Sequence, residues 1–573
     1  MTDLMTQPQV IADAAANVAG IRSAITSASA SAAGQTTGVA AAAADEVSAA
    51  IANLFGAYGQ DYQALIGQAT AFHEQFVATL AAAANGYAGA EAAATNLLGS
   101  LLGGNGAVAA ADFTLVIGGS GTPIPGVDYV NNVVSRFIAP FFTPGGVQAL
   151  FTPEGGYPLF GASPKDLTFN VSIQRGVEIL NNQLVGANPP YAGLLNPVGT
   201  NNVNVLGYSQ SAIIASLEMR ALNPTNTPGG SPYFNNLNFS LIGDPMNPNG
   251  GLLARFAPLS IPSIGLTFYG ATPDNSFHTV VTTLEYDGFA DFPQYPINFL
   301  SDLNAFAGIL YVHGTYPTLT AAQIASAIHL TNTVGPTSTD YYMIPTQHLP
   351  LLNPVRSIPL IGTPIADLIE PDLRVLVNIG YGNTSHGWSD GPPNVPTGFG
   401  VIPPVTLPEV GSALATATPQ GISAFMADIN ALPAASAVAL SVPLATAAGS
   451  FAAAPALLSG IATAATSNPI NGLIDGLMSA NTNITNAFTT ATASLYAGLL
   501  PTADIGNFLV TTLPSYDVNL FLTGIERMVD GDPTGGLIYA LGAPVAADVA
   551  LFTLAGGFEL EVLLRAVSGA VAA

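Results

Sequence analysis

The run Val203-Asn204-Val205-Leu206-Gly207-Tyr208-Ser209-Gln210-Ser211-Ala212 most narrows what this chain can fold into. Val203 to Leu206 is short and mostly apolar and predicts a buried strand; Ile213, Ile214 and Leu217 then recur at helical spacing, with Ala221 one turn further on. Between them lies Gly-x-Ser-x-Ser, formed by Gly207, Ser209 and Ser211. A strand that turns at once into a helix leaves little room at its tip and strains the residue there, so Gly207 removes a clashing Cβ and Ser211 keeps the following position small. The free N–H groups and positive dipole end of the helix face the tip, where a developing oxyanion would be held. Ser209 is therefore a candidate nucleophile; the alternative is a serine that caps the helix.

Composition restricts the partners. The 573 residues are enough for two to four domains. Only 8% are charged, Lys165 is the single lysine, and the net charge of −25 would repel a phosphate backbone, so nucleic acid is not expected as a partner. With no cysteine there can be no disulfide, thiolate-held metal or thiol nucleophile. Met1 to Pro8 has neither a basic region nor an apolar core and does not read as a general secretory signal. The mean hydropathy of +0.44 suits contact with lipid or partner proteins, though a GC-rich genome would bias composition the same way.

Along the chain, residues 1–95 read as a helical hairpin. One apolar stripe runs through Val10, Ala14, Val18, Ile21 and Ile25, another from Val47 through Phe55 to Leu80, and the break falls near Gly34 to Gly38. So thin a unit with such apolar faces implies a partner. Residues 96–111 read as a linker. Residues 112–385 offer strands at Phe113–Ile117, Val203–Leu206, Phe239–Ile242, Thr279–Leu284 and Val375–Ile379, with helices around Val171–Leu184 and Ala212–Leu222. This alternation predicts a doubly wound, mainly parallel sheet; the likeness of Gly207-x-Ser209-x-Ser211 to the Gly-x-Ser-x-Gly elbow points to the α/β-hydrolase class. Residues 386–404 are Gly/Pro-rich and read as a second linker. Residues 405–573 are Ala- and Leu-rich and mostly helical in pattern. Residues 429–474 carry no charge, but Pro433, Pro443, Pro455 and Pro469 interrupt every run before about 20 residues, which argues against a membrane span there.

A serine nucleophile needs a base and an orienting acid, in α/β-hydrolases in the chain order serine, acid, histidine. Of the histidines after Ser209, His348 lies in a loop-like setting downstream of every acid candidate and is favoured; His386 is the alternate. His329 falls in the helical pattern Ala321–Leu330, and His278 and His313 come early. For the acid, Asp291 is favoured in the loop after Thr279–Leu284. Asp287, which precedes Gly288, and Asp244, which ends an earlier strand, are alternates. Oxyanion donors are expected from Gln210 and from Ser120, Gly121 and Thr122 in the glycine-rich loop after Phe113–Ile117. No His/Asp cluster has convincing metal-ligand spacing, and no metal or organic cofactor is expected.

Two blocks resemble known families. Thr36-Thr37-Gly38-Val39, Ala44 to Ala50, Tyr62-Gln63-Ala64-Leu65, Phe72 to Val77 and Tyr87-Ala88-Gly89-Ala90-Glu91 resemble the PE domain of the mycobacterial PE/PPE proteins, with Pro8-Gln9 in place of the name-giving Pro-Glu. Tyr87 and Glu91 match that family's Tyr-x-x-x-Asp/Glu signal. The resemblance implies type VII secretion without a cleaved leader, a PPE-family protein paired with the hairpin, and a cell-surface or cell-wall location with peripheral association to the envelope. A helical i,i+4 pair is the plainer reading of Tyr87 and Glu91. Residues 112–385 resemble the PE-PPE domain, a cutinase-like serine hydrolase module, through Gly118 to Pro123, Gly207 to Ser211, Gly243-Asp244-Pro245 and Tyr286 to Pro293. Cutinases carry disulfides, which this chain cannot. The resemblance implies hydrolysis of short- to medium-chain esters, with lipids of the cell envelope as substrates. A non-catalytic surface protein on the same fold and an acyltransferase are the competing expectations.

Overall fold

The computed structural model describes scattered positions between residues 26 and 70, then residues 111–159, 166–186, 201–431 and 498–572, with residues 193–195, 198 and 485 between them. The chain divides into two compact units, Met1–Val108 and Ala109–Ala573.

In the first unit, residues 32–37 are helical and end in a bend at Gly38, and the described positions between 48 and 70 are helical again. The two stretches run antiparallel. Ser29 Oγ lies 3.2 Å from Tyr62 OH, Gln63 Nε2 donates to the Ser29 carbonyl at 3.2 Å, and a Cβ on Gly59 would sit 2.4 Å from the Thr36 carbonyl oxygen. Gly59 thus lets the two backbones approach closely. Tyr87 and Glu91 lie outside the described residues.

Among the described residues of the second unit there are nine strands: β1 (Ala111–Val116), β2 (Gly146–Ala149), β3 (Asn201–Tyr208), β4 (Leu237–Ile242), β5 (Ser260–Ile261), β6 (Leu266–Thr267), β7 (His278–Leu284), β8 (Ile328–His329) and β9 (Thr339–Ile344). Seven form one sheet in the order β2-β1-β3-β4-β7-β9-β8; all its pairs are parallel except β8 with β9, and β5 and β6 make a separate antiparallel ribbon. The helices used below are α1 (Val127–Val133), α2 (Phe169–Val185), α3 (Gln210–Leu222), α4 (Phe299–Tyr311), α5 (Gly362–Asn378), α6 (Leu407–Ala431), α7 (Leu513–Val529) and α8 (Pro533–Ala572).

Side-chain alternation along the strands divides the interior into two layers. Leu115, Val203, Val205, Phe239, Leu241 and Val281 face one core, shared with α2 and α3. Val116, Leu206, Ile242, Leu284 and Ile344 face the other, with Val133, Phe137 and Tyr316. The register pairs Val116 with Leu206, Tyr208 with Ile242, and Ile242 with Thr282, so the carboxyl ends of β1, β3, β4 and β7 share one rim, where ligand sites of open α/β sheets form.

Several expectations are corrected. Val375–Ile379 is not a strand: Val375 to Asn378 form the last turn of α5 and Ile379 begins a short 3₁₀ turn, because a short apolar run fits either element until its length is known. The last long parallel strand is instead β9, where Tyr341 and Met343 are buried and Asp340 is exposed. His329 lies on edge strand β8, since the helix begun at Ala321 stops at Ala325. The segment 386–404 is laid along the domain: Arg255 Nη1 donates to the Thr397 carbonyl at 2.8 Å, and Phe399 stacks on Phe256 at 5.1 Å.

The C-terminal helices are part of this unit. α7 and α8 pack through small residues, with Gly524 against Ala540, and Ala543, Ala546, Ala547 and Ala550 are fully buried. Tyr516 OH donates to the Phe256 carbonyl at 3.2 Å, and Phe558 meets Phe306 of α4 edge-on at 5.5 Å. Among the described residues one helix, Pro533–Ser568, is long and apolar enough to cross a membrane by length and composition, with 39% of its most apolar window buried here. Most of the uncharged stretch 429–474 lies outside the described residues.

Candidate active site

Ser209 stands between the last residue of β3 and the first of α3, with φ 57° and ψ −117°. That region is nearly closed to residues with a Cβ and costs of order 1–3 kcal/mol. The surroundings hold it there. A Cβ on Gly207 would lie 2.7 Å from the Ser211 carbonyl oxygen, and one on Gly119 would lie 3.1 Å from Tyr208 Cδ1. Ser211, the departure from a second glycine, accepts from the Tyr208 N–H at 2.7 Å and donates to the Tyr208 carbonyl at 3.1 Å, so its hydroxyl ties the turn closed. Ser209 makes no side-chain cap bond, which removes the capping alternative.

The Ser209 hydroxyl meets His313. Its Oγ lies 2.7 Å from His313 Nε2, and His313 Nδ1 lies 2.8 and 2.9 Å from the two oxygens of Asp287. Asp287 is fully buried, follows β7, and also accepts from Tyr316 OH at 2.8 Å and the Phe289 N–H at 3.1 Å. Burial, with Asp287 close by, pushes the Tyr316 phenol well above its usual range, so it stays a donor to the carboxylate while accepting from the Leu284 N–H at 2.9 Å. The imidazole is packed between Tyr208, stacked at 5.5 Å, and Phe289, edge-on at 4.7 Å. Gly243, at φ +56°, gives it room, because a Cβ there would lie 3.2 Å from His313 Cε1.

Gln210 is buried and its amide is satisfied on both sides. Oε1 accepts from Ser120 Oγ at 2.7 Å, and Nε2 donates to Ser172 Oγ at 2.8 Å and the Gly155 carbonyl at 3.1 Å. It clamps the loop after β1 to the elbow. Within that loop the Gly121 N–H is taken by the Glu154 carbonyl at 2.8 Å and the Thr122 N–H by the Gly119 carbonyl at 2.9 Å. Gly121 and Thr122 therefore shape the loop rather than donate into the site. The backbone N–H groups of Ser120 and Gln210 have no acceptor among the described residues. A cavity of about 380 Å³ opens on Ser209, His313, Gly119 and Ser120, lined elsewhere almost wholly by apolar side chains.

Comparison with known proteins fits this geometry. Residues 4–94 match the PE family and residues 144–382 the PE-PPE domain. The chain is 45% identical over 447 residues to PE family protein PE3 of Mycobacterium tuberculosis (strain ATCC 25618 / H37Rv), covering 76% of this chain and 90% of that one. This chain belongs to the PE family and carries a PE-PPE domain, a hydrolase-like module. It is also 43% identical over 421 residues to Esterase PE16 of the same strain, covering 72% of this chain and 76% of that protein. It is 46% identical over 461 residues to the uncharacterized PPE family protein PPE28, again of that strain, and spans 80% of itself and 66% of the relative. The PE-PPE match contains Ser209, Asp287 and His313; the Gly118–Thr122 loop and the helices α7 and α8 fall outside it.

Within the PE-PPE domain most of the other expected residues stand elsewhere. His348 does not reach Ser209. Its Nδ1 is 3.1 Å from Glu370, whose carboxylate is also held by Arg356 and, at 2.8 Å, by Arg374. Burial raises the Glu370 carboxyl, but the hydrogen bonds from Arg374 and Arg356 outweigh it and hold it low. His348, Asp367 and Glu370 could converge on a metal, yet these two guanidinium groups already occupy the carboxylates. His386 stacks on Trp388 at 3.9 Å and pairs with Asp390 at 3.1 Å. Asp291 is buried four residues past Asp287 in the same loop and accepts from the Tyr286 N–H at 3.0 Å, bracing the acid loop from behind. Asp244 shapes a turn, accepting from the Met246 N–H at 2.9 Å and Thr272 Oγ1 at 2.6 Å; burial pushes its carboxyl up to about 6. His313 sits in the 3₁₀ turn directly after α4. Its one sequence signal was position: it follows Asp287 and so keeps the order serine, acid, histidine.

Proposed function

We propose that this chain is an exported serine esterase acting on carboxylic esters, cell-envelope lipids among them, through Ser209, His313 and Asp287. The observation that carries the reading is the unbroken chain of contacts from the Asp287 carboxylate through both nitrogens of His313 to the hydroxyl of a strained serine. Ser209 Oγ attacks the ester carbonyl carbon and its proton passes to His313 Nε2. The oxyanion is held by the N–H groups of Gln210 and Ser120. Collapse breaks the bond to the alcohol, which leaves with the proton from His313. Water then attacks the acyl-enzyme, His313 taking its proton and returning it to Ser209, and the acid is released. Asp287 holds the imidazole in the tautomer with Nδ1–H and stabilises the imidazolium. The esterase name of one relative supports the reaction class.

The purified full chain should hydrolyse chromogenic esters, and Ser209→Ala should abolish the activity; equal activity, or equal inertness, in the two proteins ends the esterase reading. For export, the PE match spans Tyr87 and Glu91, and the reading expects a type VII route with a PPE-family partner. Replacing both residues by alanine should hold the protein inside the cell. Unchanged export of that variant contradicts the route.

A further inference from the structure

The cavity over Ser209 has walls of two origins. One comes from the sheet rim and its loops: Gly119, Ser209, Phe289 and His313. The other comes from far down the chain: Ile505, Phe508, Leu551, Leu554, Ala555 and Phe558. The second wall is anchored by side chains to the part of the domain that carries the first wall, not merely laid over it. Tyr516 OH donates to the Phe256 carbonyl at 3.2 Å, Ser263 Oγ donates to the Asp504 carbonyl at 3.0 Å, and Phe558 packs edge-on to Phe306 at 5.5 Å. A Cβ on Gly557 would lie 2.5 Å from the Phe306 ring, so the helix approaches α4 as closely as glycine allows. Ile505, Phe508, Leu551 and Leu554 belong to the same core as Val203 and Ile213.

The chemistry of the lining selects what can enter. The charged residues of the lining, Glu561 and Arg565, are one turn apart on α8 and pair with each other. The far wall offers no hydrogen-bonding side chain apart from that pair, so a sugar or peptide group placed against it would lose its water without replacement. A hydrocarbon chain gains there instead. The volume of about 380 Å³ lies within the range of pockets that bury a whole small-molecule ligand.

We infer that residues 498–572 are the acyl-binding cap of this hydrolase. Leu551, Leu554, Ala555 and Phe558 then form the wall that receives the acyl chain of a medium- to long-chain ester. The inference rests on the esterase reading and names its substrate class. Each methylene buried against the wall should raise kcat/KM about fourfold until the cavity is full.

The test uses the full wild-type chain and an alkyl fluorophosphonate carrying a diazirine at the end of an eight- to ten-carbon chain. Ser209 Oγ displaces fluoride from phosphorus, its proton leaving with the fluoride; illumination then links the chain end to whatever lies beside it. Cross-links in the peptide holding Leu551 to Phe558 are expected. Labelling of Ser209 with cross-links only in residues 111–431 overturns the cap. No labelling of Ser209 at all overturns the esterase reading on which it stands. In parallel, Ala555→Trp should lower the octanoate-to-acetate ratio of kcat/KM at least tenfold, and Phe558→Ala should move the optimum to longer chains. Ratios equal to wild type in variants that still label also overturn it.

Discussion

Replacing His313 by alanine removes the one imidazole that, among the described residues, contacts Ser209. The Nε2–Oγ contact of 2.7 Å and the two Nδ1 contacts to Asp287 at 2.8 and 2.9 Å all disappear. A positioned general base contributes about 10²–10⁴-fold, which is about 3–5 kcal/mol of transition-state stabilisation. The cost to folding should be smaller, because Asp287 keeps its bonds from Tyr316 OH at 2.8 Å and the Phe289 N–H at 3.1 Å; the lost hydrogen bonds and packing suggest about 1–3 kcal/mol. His348→Ala is the matched control. His348 is part-exposed, and its partner Glu370 keeps Arg356, Arg374 and the Leu349 N–H. Hydrolysis of a chromogenic ester, read beside thermal melting of both variants, should show His313→Ala at one hundredth of wild type or below and His348→Ala within twofold. Retention of a tenth or more of the activity in His313→Ala, or an equal loss in folded His348→Ala, would refute the assignment of the base.

Three further outcomes follow from the same geometry. Asp287→Asn should lower kcat about 10²–10⁴-fold by removing the charge that orients the imidazole, whereas Asp291→Asn, whose partner is the Tyr286 N–H, should act mainly on melting temperature; steady-state kinetics and melting separate the two. Ser211→Gly restores the commoner elbow but deletes the two hydroxyl bonds to Tyr208, so denaturant unfolding should register a loss of about 1 kcal/mol with activity largely kept. Burial pushes the Glu154 carboxyl up to about 8, and one of its oxygens has no partner. A carboxyl raised in the folded state adds stability that is complete below its unfolded value and is lost as pH rises towards 8. Glu154→Gln should therefore stabilise the protein at pH 9 by up to about 5 kcal/mol and have little effect at pH 4; an equal effect at both would sink the linkage.

What was legible in the sequence was what local chain geometry enforces. The elbow could be read because strand, turn and helix adjoin within ten residues and each constrains the next. The base could not. His313 reaches Ser209 only because α4 returns the chain to the rim of the sheet, 104 residues on, and two more strands follow before the sheet is complete. His313 read as early in the chain, yet it too lies downstream of Asp287 and Asp291. The choice between Asp287 and Asp291 turned on four residues of one loop: both are buried, and only the first meets the imidazole. The Gly118–Thr122 loop meets the elbow through Ser120 and Gln210, but which of its amides stay free depends partly on Glu154, whose carbonyl comes from a distant loop. The cap was invisible because apolar helices of α8's composition fit a lipid-facing or a core-facing role equally well.

The account stands most directly on Ser209 being a nucleophile activated by His313. Reaction of the intact protein with a short fluorophosphonate, followed by peptide mass analysis, measures this without assuming a substrate. The account predicts a single adduct on the peptide holding Ser209, absent from Ser209→Ala and formed at least a hundredfold more slowly in His313→Ala. No adduct on the folded wild type, an adduct on another serine, or equal labelling rates in wild type and His313→Ala would contradict it.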